Sequence, residues 1–250
     1  MAQEPDPQMA LIFSFYEGVQ RKGPGSEAST LKALSMLDEL PPSPRIVDFG
    51  CGAGAASLVL AKRGRVTAVD IHQPFLDQLN ALAAREGLGD CIETIQGDLV
   101  APPFPDESFD LVWSEGAIYF AGFEQGLERW RRLLPTGGFV AVTEATWLCE
   151  TPSPKAVDFW MTEYPAITSI EDNVGKLHSA GFDPIGHFVL PTEDWENYFG
   201  PLAEQLARFR SEKADCAEAQ SFADSVQREI DLWQECGGSY GYVFYLGRAV

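Results

Sequence analysis

The sequence predicts an open, doubly wound α/β sheet, and three observations carry that expectation. From residue 45 onward short apolar runs alternate with helical patterns, which argues for parallel strands joined by crossover helices. The first run, Ile46-Val47-Asp48-Phe49, passes an acid and enters the turn Gly50-Cys51-Gly52-Ala53-Gly54. The second run, at 65–70, closes on another acid, Asp70, sixteen residues after Gly54. With 250 residues and 45% hydrophobic content, one large domain with a lid is expected.

Residues 9–20 and 27–40 have helical patterning, the second with Leu31, Leu34, Met36, Leu37 and Leu40 as its apolar set. Lys22-Gly23-Pro24-Gly25-Ser26 turns the chain between them, and Pro41-Pro42-Ser43-Pro44 delivers it into the first strand at 45–49. Residues 1–44 are therefore expected to form an N-terminal helical lid, and 45–250 the α/β domain. A helix at 55–63 follows the glycine turn, and the helix after Asp70 carries Phe75, Leu79 and Leu82 on one face. Strands are expected at 91–96, 109–114 and 139–143. Phe123, Leu127, Trp130 and Leu134 mark the helix before Pro135-Thr136-Gly137-Gly138.

After Glu144 the alternation loosens, and about 146–180 reads as an insertion over the sheet edge, with a short helix bearing Phe159, Trp160 and Tyr164. A helix near 170–180 and a strand at 182–190 come next. Two amphipathic helices follow, one with Leu202, Leu206 and Phe209, the other with Phe222, Val226, Ile230 and Trp233. A strand at 240–249 closes the chain.

Charge narrows the function classes. Thirty-seven acids against 18 bases give −19, so a nucleic-acid backbone would meet a repulsive average field. Arg129, Arg131 and Arg132, the nearest approach to a basic patch, have the spacing of an exposed helix face. A small-molecule partner is expected, with no nucleic acid and no membrane; a homodimer is left open. The five cysteines at 51, 91, 149, 216 and 236 make no C-x-x-C pair, so neither a disulfide framework nor a metal site is expected. Glu4 and Asp6 stand where a signal peptide needs positive charge, and no apolar run reaches membrane-spanning length, so a cytoplasmic location is expected.

Gly50-Cys51-Gly52-Ala53-Gly54-Ala55 satisfies the dinucleotide pattern G-x-G-x-x-G/A, with Asp70 twenty residues beyond Gly50. Taken alone, it admits an NAD(P)-linked oxidoreductase. Asp48 argues otherwise, because a carboxylate beside the loop repels a pyrophosphate and attracts a cation. Gly97-Asp98-Leu99 ends the third strand, where a carboxylate accepts from an adenine amine while Leu99 packs on the ring. S-adenosylmethionine, with an ammonium, a sulfonium and no phosphate, suits this set better than NAD.

Val47-Asp48-Phe49-Gly50-Cys51-Gly52-Ala53-Gly54, Val69-Asp70, Gly97-Asp98, Phe109-Asp110-Leu111-Val112 and Leu134-Pro135-Thr136-Gly137-Gly138 together resemble class I S-adenosylmethionine-dependent methyltransferases. The resemblance covers about 45–145. It implies a Rossmann-like sheet of seven strands with the last antiparallel, the segments at 182–190 and 240–249 supplying the remaining two. Gly23-Pro24-Gly25-Ser26 and Ser114-Glu115-Gly116-Ala117-Ile118-Tyr119 also resemble a bacterial small-molecule subgroup, without naming a substrate.

The expected cofactor set is Gly23, Gly25, Asp48, Gly50, Gly52, Gly54, Asp70, Ile71, Asp98, Leu99 and Ser114. Asp48 faces a cation or caps the turn; Asp70 holds ribose hydroxyls or caps the next helix; Gly23 and Gly25 offer backbone N–H groups to a carboxylate or serve as connector. His72 lines the adenosine or starts a solvated helix. Strand ends four and five bring Trp113, Ser114, Glu115, Tyr119, Glu144 and Trp147 toward an acceptor pocket that Trp160 and Tyr164 close. Glu115 is the first candidate for a base, Glu144 the second, with Tyr119 beside them. Cys51 reads as a packing residue. The expected reaction is methyl transfer to oxygen or nitrogen of a small neutral or cationic acceptor by in-line displacement. A non-catalytic cofactor-binding regulator is the other alternative to an oxidoreductase.

Overall fold

The computed structural model describes residues 7–250; Glu4 and Asp6 lie outside them. Five strands run parallel from the glycine-loop region: β1 (Arg45–Phe49), β2 (Arg65–Asp70), β3 (Ile92–Gln96), β4 (Leu111–Ser114) and β5 (Phe139–Trp147). A two-residue strand, β6 (Thr168–Ser169), continues beside the end of β5, and β7 (Phe182–Val189) and β8 (Tyr240–Ala249) complete the sheet. The order is β3-β2-β1-β4-β5-β8-β7, and β8 runs antiparallel to both neighbours. The seven-stranded sheet with its last strand reversed is thus present, with β6 an addition that sequence patterning did not reveal.

Strand alternation distributes the core over both sheet faces. Ile46, Ala68, Leu111, Trp113 and Ala141 pack with Ala56 and Leu60 of α3 (Ala55–Leu60) and with Leu79 and Ala83 of α4 (Gln73–Glu86). Val47, Val69, Val112, Val140 and Val142 pack on the other face with Leu127 and Trp130 of α5 (Phe123–Arg131) and Leu177 of α7 (Ile170–Ser179).

A third apolar cluster lies beyond the sheet. It joins Phe15 of α1 (Pro7–Glu17), Ala156 of α6 (Pro154–Glu163), Leu202 and Leu206 of α8 (Thr192–Glu212), and Val226 and Ile230 of α9 (Ala217–Cys236). This corrects the expected lid. Helix α2 (Glu27–Ser35) belongs to the sheet layer, because Ala33 packs against the α3 face, whereas α1 belongs to the cap with α6, α8 and α9. The expected insertion also divides: α6 joins the cap, and α7 covers the sheet through Leu177. Helix α2 stops at Ser35, where the Met36 N–H bonds back to Ala33 in a tightened turn. Among the described residues no helix is long and apolar enough to cross a membrane.

Candidate functional site

One cavity of about 610 Å³ opens along the carboxyl ends of β1, β2 and β4 and runs beneath the cap. Its glycine-loop half is built largely from backbone. Gly50, Gly52 and Gly54 have φ of 67°, 52° and 84°, the left-handed region that side chains resist. A Cβ at Gly50 would sit 2.2 Å from the Ala117 Cβ, and one at Gly54 would sit 2.1 Å from a methyl of Leu79. The loop therefore needs glycine for backbone conformation and for close approach. Gly54 does not line the cavity; it lets the loop seat on α4.

Asp70 ties this half together. Its two oxygens accept the Gly52 and His72 N–H groups, each at 2.9 Å, while the carboxylate still lines the cavity. Burial pushes its carboxyl up against those two hydrogen bonds. Asp48 lies deeper, 1% exposed, accepting from the Ser57 hydroxyl at 2.6 Å. Burial, with smaller contributions from Glu115 and Asp70, raises its carboxyl to about 8. Such an acid ionises when a cation arrives beside it.

Leu99 is buried and Ile71 half-exposed, and both line the cavity as an apolar margin. Asp98, exposed on the same margin, accepts the Val100 N–H at 2.8 Å. Gly23 lines the cavity too. Gly25 and Ser114 do not: the Gly25 N–H donates to the Asp194 carbonyl, and the Ser114 hydroxyl donates to the Phe49 carbonyl at 2.9 Å. Their polar groups are spent inside the fold, so neither is placed to meet a ligand. His72 also sits behind the wall, stacked on Phe13 with centroids 4.2 Å apart and bonded to Glu17 at 2.8 Å.

Two cations escaped the sequence reading. Arg21 donates to Glu115 Oε2 at 3.0 Å, and its Nε is buried at the cavity wall without an acceptor among the described residues. Lys22 lies over the Phe75 ring at 4.4 Å and donates to the Tyr16 and Val19 carbonyls, with burial lowering its amine to about 8. Both adjoin the Gly23-Pro24-Gly25 turn, the signal by which they could have been found.

Glu115 lines the cavity and is already engaged by three donors. Besides Arg21, its Oε1 accepts the Thr30 hydroxyl at 2.7 Å and the Trp113 indole N–H at 3.0 Å. Three donors make it the anchor that joins the α1–α2 connector to the end of β4. Glu144 departs further from expectation. Strand alternation places it on the Val142 face of β5, outside the cavity lining, with both oxygens buried near the Tyr164 hydroxyl, and burial pushes its carboxyl up to about 8. Trp147 and Tyr164 lie outside the cavity wall, whereas Tyr119 and Trp160 line it.

The other half of the cavity is aromatic. Tyr16, Tyr119, Trp160, Trp195, Tyr198 and Tyr242 surround it, joined by Phe222, Glu163 and Glu229. The Tyr16 and Tyr198 hydroxyls share a hydrogen bond at 3.2 Å, and the Trp195 and Tyr242 rings meet edge to face at 5.3 Å. Glu229, half-buried, is raised to about 7 by burial and by the nearby Glu163. Its signal in the sequence is an acid on the apolar stripe of α9, three residues after Val226 and four before Trp233.

Comparison with known proteins meets this geometry from outside. Residues 47–142 match the family described as a methyltransferase domain. The chain is similar to the uncharacterized methyltransferase YodH of Bacillus subtilis, 30% identical over 191 residues that cover 75% of this chain and 79% of YodH. It is also similar to the 27-O-demethylrifamycin SV methyltransferase of Amycolatopsis mediterranei, 25% identical with 89% and 84% of the two chains covered. Several other curated relatives are matched over less than half of their own length. In fold, the S-adenosyl-L-homocysteine complex of a SAM-dependent methyltransferase from Thiobacillus denitrificans superposes with a TM-score of 0.82 at 19% identity, covering 96% and 98%. The match over β1 to β5 and the likeness to YodH over three quarters of the chain mean that the protein belongs to the class I S-adenosylmethionine-dependent methyltransferases.

Proposed function

We propose that the protein transfers a methyl group to nitrogen or oxygen of a small acceptor, with the glycine-loop half holding the cofactor and the aromatic half holding the acceptor. The single observation that carries this reading is the continuity of the two halves in one cavity. The donor set fits the cofactor. The orphaned Arg21 Nε suits its carboxylate, buried Asp48 a cationic group, Asp70 a ribose diol, and the Ile71–Leu99 margin with Asp98 an adenine. When bound, S-adenosylmethionine supplies an electrophilic methyl group on a sulfonium sulfur.

The chain's own contribution is orientation and exclusion of water. Tyr119, Trp160 and Tyr242 wall the acceptor side, and holding two reactants in line accounts for much of a transfer rate without covalent participation by the protein. Among the cavity-lining carboxylates at that end, Glu229 is the one poised near neutral pH, so it is the residue suited to hold a proton released by the acceptor. The methyltransferase-domain match, rather than Asp48, disfavours the NAD(P) alternative, since a carboxyl raised to about 8 is uncharged near neutral pH.

The test is calorimetric titration with S-adenosyl-L-homocysteine and with NADH, followed by methyl transfer across a small-molecule panel. Binding of the homocysteine product without NADH binding, and turnover with small acceptors, is expected. NADH binding alone would restore the oxidoreductase reading, and cofactor binding without turnover of any acceptor would favour a regulator.

A further inference from the structure

We infer that the aromatic half recognises an amine: a small apolar molecule carrying one ammonium group, seated with its nitrogen against Glu229. The inference rests on the assignment of the glycine-loop half to the cofactor.

Charge distribution is the first argument. Among the described residues the cavity is lined by Asp48, Asp70, Asp98, Glu115, Glu163 and Glu229 against Arg21 and Lys22. Both cations belong to the connector after α1 and are engaged there, Arg21 with Glu115 and Lys22 with helix carbonyls. Around Asp48 and Asp70 the charged neighbours are Arg21, Lys22, His72 and Glu115. Around Glu229 they are Glu163 and a set of tyrosines, with no cation among the cavity-lining residues at that end. An acid there lacks a counter-ion that a ligand would supply.

The surroundings supply the second argument. Tyr16, Tyr119, Tyr198 and Tyr242 line the same cavity as Glu229, and burial together with the charge of Glu229 pushes their hydroxyls up. Aromatic faces attract a cation electrostatically, and desolvation strengthens the attraction. A carboxylate set among such rings binds an ammonium by charge and by ring quadrupole together. A carboxylate or phosphate ligand would face Glu163 and Glu229 with no lysine or arginine to receive it.

Size is the third. A single drug-sized ligand commonly takes about 300–1,000 Å³, and here about 610 Å³ serves both halves. The acceptor is therefore small, with an apolar body short enough to lie between Trp160, Trp195 and Phe222.

The experiment titrates matched probes of one apolar body, 4-phenylbutylamine, 4-phenylbutan-1-ol and 4-phenylbutanoate, and the corresponding hexyl series, by calorimetry and tryptophan fluorescence, with and without saturating S-adenosyl-L-homocysteine. Amines are expected to bind at least tenfold more tightly than alcohols, with carboxylates weakest. Glu229→Gln should lower amine affinity at least tenfold while leaving alcohol affinity and S-adenosyl-L-homocysteine affinity unchanged. Equal binding of amine and alcohol, tighter binding of carboxylate, no binding by any probe, or an unchanged amine affinity in Glu229→Gln would each overturn the inference. Loss of S-adenosyl-L-homocysteine binding in the wild type would instead overturn the cofactor assignment, and the titrations without it keep the two failures apart.

Discussion

The two halves of the cavity are built by opposite means. The glycine-loop half comes mainly from residues 48–99, close in sequence, and relies on backbone N–H groups, three positive-φ glycines and two carboxylates. The aromatic half draws one or two side chains each from α1, the turn after β4, α6, α8, α9 and β8. The first half has one geometry that the chain can satisfy in few ways. The second is a wall whose shape and charge are reset by changing one side chain at a time. A conserved reaction partner suits the former construction, and a variable acceptor suits the latter.

The largest expected effect breaks the first half. Gly54→Val puts a branched side chain into Leu79 at a positive-φ position, costing about 1–3 kcal/mol for overpacking and about 1–2 kcal/mol for the left-handed backbone. A lower Tm and loss of S-adenosyl-L-homocysteine binding are expected by scanning and titration calorimetry. Wild-type stability would mean that α4 yields easily to the loop.

Glu115→Ala comes next. Removing a partner of a buried ion pair costs about 3–5 kcal/mol when burial is complete, and Glu115 and Arg21 side chains are 9% and 16% exposed, so about 2–3 kcal/mol is expected. Denaturant melts should show that loss, while the pH dependence of any turnover keeps its shape. A changed pH profile would return Glu115 to the chemistry.

Asp70→Ala should weaken cofactor binding by about 1.5–3 kcal/mol, the worth of a hydrogen bond to a charged group. Amine binding in the aromatic half should stay constant. Equal loss at both ends would show that the halves are not separable.

Glu144 offers a control, since it lies in neither half. Its carboxyl is raised by burial to about 8, so the folded state holds a proton that the unfolded chain releases above the ordinary carboxylate range. Stability attributable to this site is intact below about pH 4.5, falls as pH rises toward about 8, and is level above that; Asp48 acts in the same direction. Glu144→Gln should therefore melt with the wild type at pH 4.5 and above it at pH 8, each kcal/mol appearing as about 2–4 °C in a chain of this size. Identical melting at both values would contradict the burial of the Glu144 carboxyl.

This contrast also explains what the sequence made legible. Parallel strands, the glycine turn, Asp48 and Asp70 were readable because short-range spacing determines them: a strand of five residues, a turn that requires glycine, and an acid at the next strand end. Glu115 and Glu144 are placed by the same reasoning, but spacing does not reach their partners. Spacing puts Glu115 at a strand end but says nothing of Arg21, Thr30 and Trp113 converging on it. Strand alternation, applied to β5 with the boundary at Trp147, would have sent Glu144 to the far face. The aromatic half stayed hidden because Tyr16, Tyr198, Glu229 and Tyr242 meet only through tertiary packing. Each reads alone as an ordinary core residue.

The separation of the two halves is tested most directly by S-adenosyl-L-homocysteine isotherms on three proteins: wild type, Asp70→Ala and Glu229→Gln. Tight binding to the wild type, an equal affinity for Glu229→Gln and at least a tenfold loss for Asp70→Ala are expected. A loss in Glu229→Gln matching that in Asp70→Ala, or NADH displacing the ligand from the wild type, would contradict the account.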